Sequence, residues 1–168
     1  MGRPAVRGIA LYTFGQFIRP SDDPANDGFH ARNDANLAAV DRAAGLIGRS
    51  GYDGDPGPES WGAQVYPRFF DDPHGDGWAP STLSLWQDIE SIWAFTYAGL
   101  HAEALSKGRD WFRKGDWPPL VMWWSDARPG WAEAVARHEH LHDHGASRHA
   151  FGFRQPFDAG GLRYAVDR

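Results

Sequence analysis

The chain has 168 residues, 42% of them hydrophobic, and a formal net charge of -5 from 17 Lys and Arg against 22 Asp and Glu. That length suits one domain, spanning residues 1–168, with enough chain to bury a core, and the acidic balance provides no positive field for a polyanion, so nucleic acid is not an expected partner. The absence of Cys excludes disulfides, thiolate metal sites and a Cys nucleophile, and no stretch is apolar enough for a signal peptide or a membrane span, so a cytoplasmic, non-membrane protein is expected.

Residues 9–14 form an apolar, β-favouring run closed by Gly15, a first strand. Residues 19–28 crowd Pro, Asp and Asn into a turn-forming loop. Phe29, Leu37, Val40 and Ala44 then recur at helical spacing, predicting a helix over 29–44. A strand pattern returns over 45–52 and is broken by Pro56, Gly57 and Pro58. Residues 63–70 carry Val65, Tyr66, Phe69 and Phe70 and read as another strand, with Pro67 marking an edge or a bulge.

After a Gly, Asp and Pro loop, residues 81–86 alternate as a central strand that leads into a helix over 88–107. That helix sets Ile89, Ile92, Trp93, Phe95 and Thr96 on a broad apolar face, with Asp88 and Glu90 at its positive end. Trp111 and Phe112 follow in a turn, then Pro118 and Pro119 introduce a strand over 120–125. A last helix begins at Pro129 or Gly130 and runs through His144, with Gly145 as its C-terminal cap. A short strand over 150–153 and an irregular tail after about 157 complete the chain. Helices packed on a mainly antiparallel sheet, an α+β fold, suit this order.

From Ser84 onward the strings SLWQDIESIWAFTYAGLHAEALSKGRDWF, LVMWW, WAEAVARHEHLHDHG and AFGFRQPF resemble the signature of domain-of-unknown-function family 3291. Trp86, Phe95, Tyr97, His101, Arg109, Trp111, Trp123, Trp124, Glu133, Arg137, Gly145, Phe151 and Phe153 stand among the matching positions. The N-terminal half matches only as a strand, a helix and the GLIGR segment, where Gly48 replaces the usual Trp, and residues 53–76 form a longer insert. The family is similar to the dimeric α/β-barrel superfamily, in which two ferredoxin-like protomers pair their sheets into a barrel. The resemblance therefore implies a ferredoxin-like dimeric α/β barrel and a homodimer. That superfamily spans heme-dependent enzymes, cofactor-free monooxygenases, isomerases and proteins without known catalysis, so chemistry has to be argued from the site.

His101 is the first candidate. On a helix it shares a face with Trp93, Tyr97 and Leu105. In small heme-degrading relatives the axial His comes from the equivalent helix, so the resemblance implies heme as cofactor with His101 on the iron. Tyr97 and Arg109 would then position polar groups, and Trp86, Trp93, Trp111 and Trp124 would surround the cofactor. Without iron, His101 suits a general base, with Tyr97 or Arg109 stabilising a developing anion. The plainer alternatives are a core His and an Arg109 paired with Glu103, Glu133 or Asp110.

Nine Trp, ten Phe and five Tyr suit a pocket for a small apolar or aromatic ligand as well as they suit an aromatic core. Trp123 and Trp124 are adjacent on a strand and must face opposite ways. In the run HEHLHDH, either His138 with His142 or His140 with His144 has the spacing for a divalent metal. The His-Glu-x-x-His pattern is absent, and a solvated helix end is the simpler reading. Glu133 and Arg137 are spaced for a structural ion pair. The expected activity is a heme-dependent oxidoreductase or monooxygenase. Its alternatives are a cofactor-free monooxygenase or isomerase with His101 as base, or a non-catalytic small-molecule-binding dimer.

Overall fold

Three β-favouring runs build the middle and one edge of a four-stranded antiparallel sheet: β1 (Gly8–Phe14), β3 (Ser81–Trp86) and β4 (Leu120–Ser125). A shorter strand, β2 (Leu46–Arg49), forms the other edge, giving the order β2-β3-β1-β4. The computed structural model describes residues 8–97, 108 and 110–163. Helix α1 (Asp27–Asp41) links β1 to β2 and α2 (Ile89–Thr96) leads on from β3, an order compatible with a ferredoxin-like fold. Helix α3 (Trp131–His144) is the additional C-terminal helix.

Register sorts the side chains. Ile9 stands opposite both Trp86 and Trp124, while Tyr12 stands opposite Leu83 and Val121. Because neighbours on a strand face opposite ways, Ile9, Leu11, Trp86 and Met122 meet Ile89 and Ile92 of α2 on one face. Ala10, Tyr12, Phe14, Leu83, Val121 and Trp123 meet Trp131, Ala134 and Val135 of α3 on the other. Asp88 starts α2 by accepting from the Ser91 backbone N–H at 2.8 Å and the Ser91 hydroxyl at 2.6 Å. Gly145 ends α3 at φ 76°, a conformation that disfavours a side chain.

Residues 50–80 complete the α3-side layer. Trp61 and Ala79 are buried in it, with Tyr52, Tyr66, Phe69 and Phe70 packed against them. Arg68 fastens this segment to α3 through both carboxylate oxygens of Asp143, and Glu139 accepts the Arg68 backbone N–H at 3.0 Å. Each face of the sheet is thus covered by the chain's own residues. Among the described residues no helix is long and apolar enough to cross a membrane.

Five sequence expectations change. The helix expected over 88–107 ends at Thr96, with Tyr97 as its C-cap, and residues 98–107 lie outside the described residues. Residues 63–70 are not a strand: their backbone follows turns around Pro67, although their aromatic rings still reach the core. Helix α1 starts two residues early, at Asp27, behind a 3-10 turn capped by Asp23, and buries no residue fully. The segment 45–52 yields only four strand residues, with an irregular register between Leu46 and Gly48. After Phe157 the chain makes a tight turn in which Asp158 accepts from Gly160 and Leu162, each at 2.9 Å, where an irregular tail was expected. The final strand is present as one antiparallel bridge, Phe151 to Met122.

Candidate functional site

The helix-side face holds most of the aromatic residues picked out from sequence. Trp86 is 1% exposed, donates its indole N–H to the Ser84 hydroxyl at 2.8 Å and tilts against Phe95 at 5.6 Å. Trp124 is half-buried and donates its indole N–H to the Phe157 carbonyl at 2.8 Å. These two indoles are fixed wall. At the end of α2, Trp93 lies 4.2 Å from Tyr97 and 5.1 Å from Phe153, ring centre to ring centre, and Tyr97 is 50% exposed. Those three rings form the part of the wall that solvent reaches.

His101 and Arg109 lie outside the described residues. Tyr97, which caps α2 by bonding its backbone N–H to the Trp93 carbonyl, stands four residues before His101 in the chain. Trp111 is placed elsewhere: it is buried beside Phe29 and Phe112, with Arg32 over its ring, near the start of α1. It does not join Trp86, Trp93 and Trp124.

The sequence model of a domain of unknown function, DUF3291, matches residues 8–166. The chain belongs to the DUF3291 family. No curated protein matches this DUF3291 domain, and no solved structure does. The match extends through the N-terminal half and the 53–76 insert, well beyond the segments from Ser84 onward that carry the resemblance most plainly.

The opposite face of the DUF3291 sheet carries two buried polar groups, His138, which sequence reasoning placed in a metal-spaced pair, and Tyr12, which it passed over. His138 is fully buried, with its ring nitrogen Nε2 donating to the Pro118 carbonyl at 2.6 Å. That bond fixes the proton on Nε2 and leaves Nδ1 as an acceptor without a partner. Burial lowers the His138 pKa from its ordinary value, with the Pro118 bond and Glu139 acting against that shift and His142 and Arg68 adding to it. The ring is therefore neutral near pH 7. Tyr12, 5.6 Å away ring to ring, is equally buried, and its hydroxyl has no partner. Burial pushes the Tyr12 phenol well above its ordinary value, so it remains a proton donor.

A sequence signal for His138 exists in retrospect: Trp131, Ala134, Val135, His138 and Leu141 recur at the i, i+3, i+4, i+7 spacing of a buried helical stripe. Only part of the His run is therefore a solvated helix end. Glu133 and Arg137 form the expected ion pair, at 3.1 Å. A small depression lined by Gln16, Phe17, Phe70, His74, Asp76 and Trp78 has room for about one water, about 10 Å³.

Proposed function

We propose that this DUF3291 domain binds a small, flat, apolar or aromatic compound against Trp93, Tyr97 and Phe153, and that His101 is the group that acts on it. The supporting observation is the half-open ring trio at the end of α2, four residues ahead of His101 in sequence. Tilted and edge-on aromatic rings with an exposed face hold a planar ligand through dispersion and apolar burial. In this reading His101 takes a proton from the ligand, and the Tyr97 hydroxyl or Arg109 holds the charge that develops.

Heme, the cofactor suggested by resemblance, needs an apolar slot as wide as a porphyrin. Between the sheet and α2 the described residues are closed: Trp86, Ile89 and Ile92 are 1%, 0% and 0% exposed. The indole N–H groups of Trp86 and Trp124 are engaged within the fold. Residues 98–107, on which the His101 ligand to heme would fall, lie outside the described residues, and the reading we carry forward is cofactor-free.

A barrel formed by two sheets face to face would require the face that α3 and residues 50–80 cover, including Trp131 at 1% and Trp61 at 7% exposure. In the reading carried forward, a second copy meets this chain at an edge or over the helices. Light scattering gives the mass directly, and a face-to-face dimer would appear as a doubled mass that is lost when α3 is tied to Arg68 by a cross-link.

Titration of the full chain with 1-naphthol, followed by tryptophan fluorescence, tests the binding proposal. Saturable quenching is expected, and Trp93→Ala or Tyr97→Ala should each weaken it roughly 2- to 13-fold, the equivalent of about 0.5–1.5 kcal/mol for one aromatic contact. Equal affinity in both variants would overturn the reading. Hemin is the second arm: a Soret band that His101→Ala removes would replace the cofactor-free version with the heme-dependent one.

A further inference from the structure

We propose that the C-terminal end of α3 binds a late first-row divalent cation such as Zn²⁺, Ni²⁺ or Cu²⁺, clamped by His140 and His144 and completed by His149. The four histidines of the run on α3 separate into two kinds. His138 is buried and committed to Pro118, and His142 hydrogen-bonds Asp143 at 2.9 Å while its ring lies 4.7 Å from Phe69. His140 and His144 lie on the other stripe, one helical turn apart, with ring centres 4.6 Å apart. Among the described residues no hydrogen bond or ion pair engages either ring.

The chain brings a third imidazole to the same place. Gly145, at φ 76°, turns the backbone away from the helix axis. Ser147 and Ala150 then pair through two backbone hydrogen bonds of 2.9 and 3.2 Å, with Arg148 and His149 at the tip between them. Arg137 donates to the His149 carbonyl at 2.9 Å, which ties that tip to α3. The His149 ring centre stands 6.1 Å from that of His140.

Imidazoles that share an ion at a metal–nitrogen distance of about 2.0–2.1 Å have ring centres roughly 4.5–5.3 Å apart. The His140 and His144 pair already meets that spacing, and His149 has to close on His140 by roughly 1 Å, within reach of side-chain rotation. No three donors among the described residues already converge on one point, so the ion itself draws the rings together. His144 and His149 are exposed and free to turn. Electrostatics favour the ion, because the carbonyl end of a helix is its negative pole. The guanidinium of Arg137, which bonds the His149 carbonyl, is paired with Glu133 at 3.1 Å. Three neutral nitrogen ligands select borderline-soft ions over Mg²⁺ or Ca²⁺.

The test is calorimetric titration of the full chain, without any affinity tag, with Zn²⁺ and with Mg²⁺, together with visible absorption on adding Co²⁺. Saturable one-to-one binding at micromolar Zn²⁺ is expected, with none for Mg²⁺. Even a residue that only supports a ligand costs about tenfold in affinity, so His140→Ala, His144→Gln and His149→Ala should each lose at least that. His142→Gln should leave binding unchanged. Circular dichroism on each variant confirms that α3 is intact. Failure to saturate at millimolar Zn²⁺ overturns the site; so does a His149→Ala variant that binds as tightly as the parent, or a His142→Gln variant that loses as much as His140→Ala.

Discussion

Acidification should weaken the fold through His138, and the argument can be followed atom by atom. The ring is fully buried, edge-on to Tyr12, Phe14 and Phe69, with one nitrogen bonded to Pro118 and the other unpaired. Its pKa in the folded chain is lowered, first by burial. The unfolded chain then binds the extra proton first, so stability holds above the unfolded His value of about 6.5 and falls as pH drops towards the folded value. Within that window one group contributes a slope of at most about 1.4 kcal/mol per pH unit.

Urea unfolding at about pH 7.5 and about pH 5.5 measures this slope. His138→Gln retains an N–H for Pro118 but cannot titrate, so the loss between the two pH values should shrink in that variant. His138→Ala leaves the Pro118 carbonyl unpaired, about 1–3 kcal/mol, and opens a cavity costing about 2–5 kcal/mol by analogy with other large-to-small changes. Identical pH slopes for His138→Gln and the parent would refute the reasoning.

Other outcomes can be checked with the same unfolding assay. Trp131→Ala removes a ring packed 5.9 Å from Tyr52 and 6.2 Å from Tyr12, and should cost about 3–5 kcal/mol. Asp88→Ala removes the cap of α2 and should cost about 0.5–2 kcal/mol. Gly45 has φ 86°, and a Cβ there would collide with a Ser91 side chain already held by Asp88, so Gly45→Ala should cost more than the roughly 1 kcal/mol of unfavourable backbone alone. Arg68→Ala should change global stability by no more than about 1 kcal/mol, because Arg68 and its main partner Asp143 are both exposed. The same change should speed proteolysis within residues 50–80, and unchanged cleavage would mean that Arg68 does not fasten that segment.

An apolar run closed by Gly15 made β1 legible, alternation made β3 legible, and Pro118 and Pro119 marked the start of β4; each strand of six or seven residues has one set of side chains for α2 and another for α3. Helix α3 was equally readable because Gly145 closes it. Residues 63–70 misled because Tyr66, Phe69 and Phe70 are apolar for the sake of burial, and burial does not require a strand when Pro67 interrupts pairing. Helical spacing already divided the four histidines into the stripes His138 with His142 and His140 with His144, but reading the run as a solvated helix end hid that His138 itself is buried. Trp111 followed the same logic, since its proximity in sequence to the long helix says nothing about its packing partners near α1. The opposite orientations of Trp123 and Trp124 came directly from strand geometry.

Nine tryptophans give nine indole N–H signals, and their response to a bound planar compound tests the central claim most directly. After assignment by substitution, two-dimensional nitrogen–proton spectra with added 1-naphthol should move the Trp93 signal and leave those of the buried Trp123 and Trp131 in place. Movement confined to Trp123 and Trp131, with Trp93 unaltered, would contradict the account and transfer the site to the α3 side of the sheet.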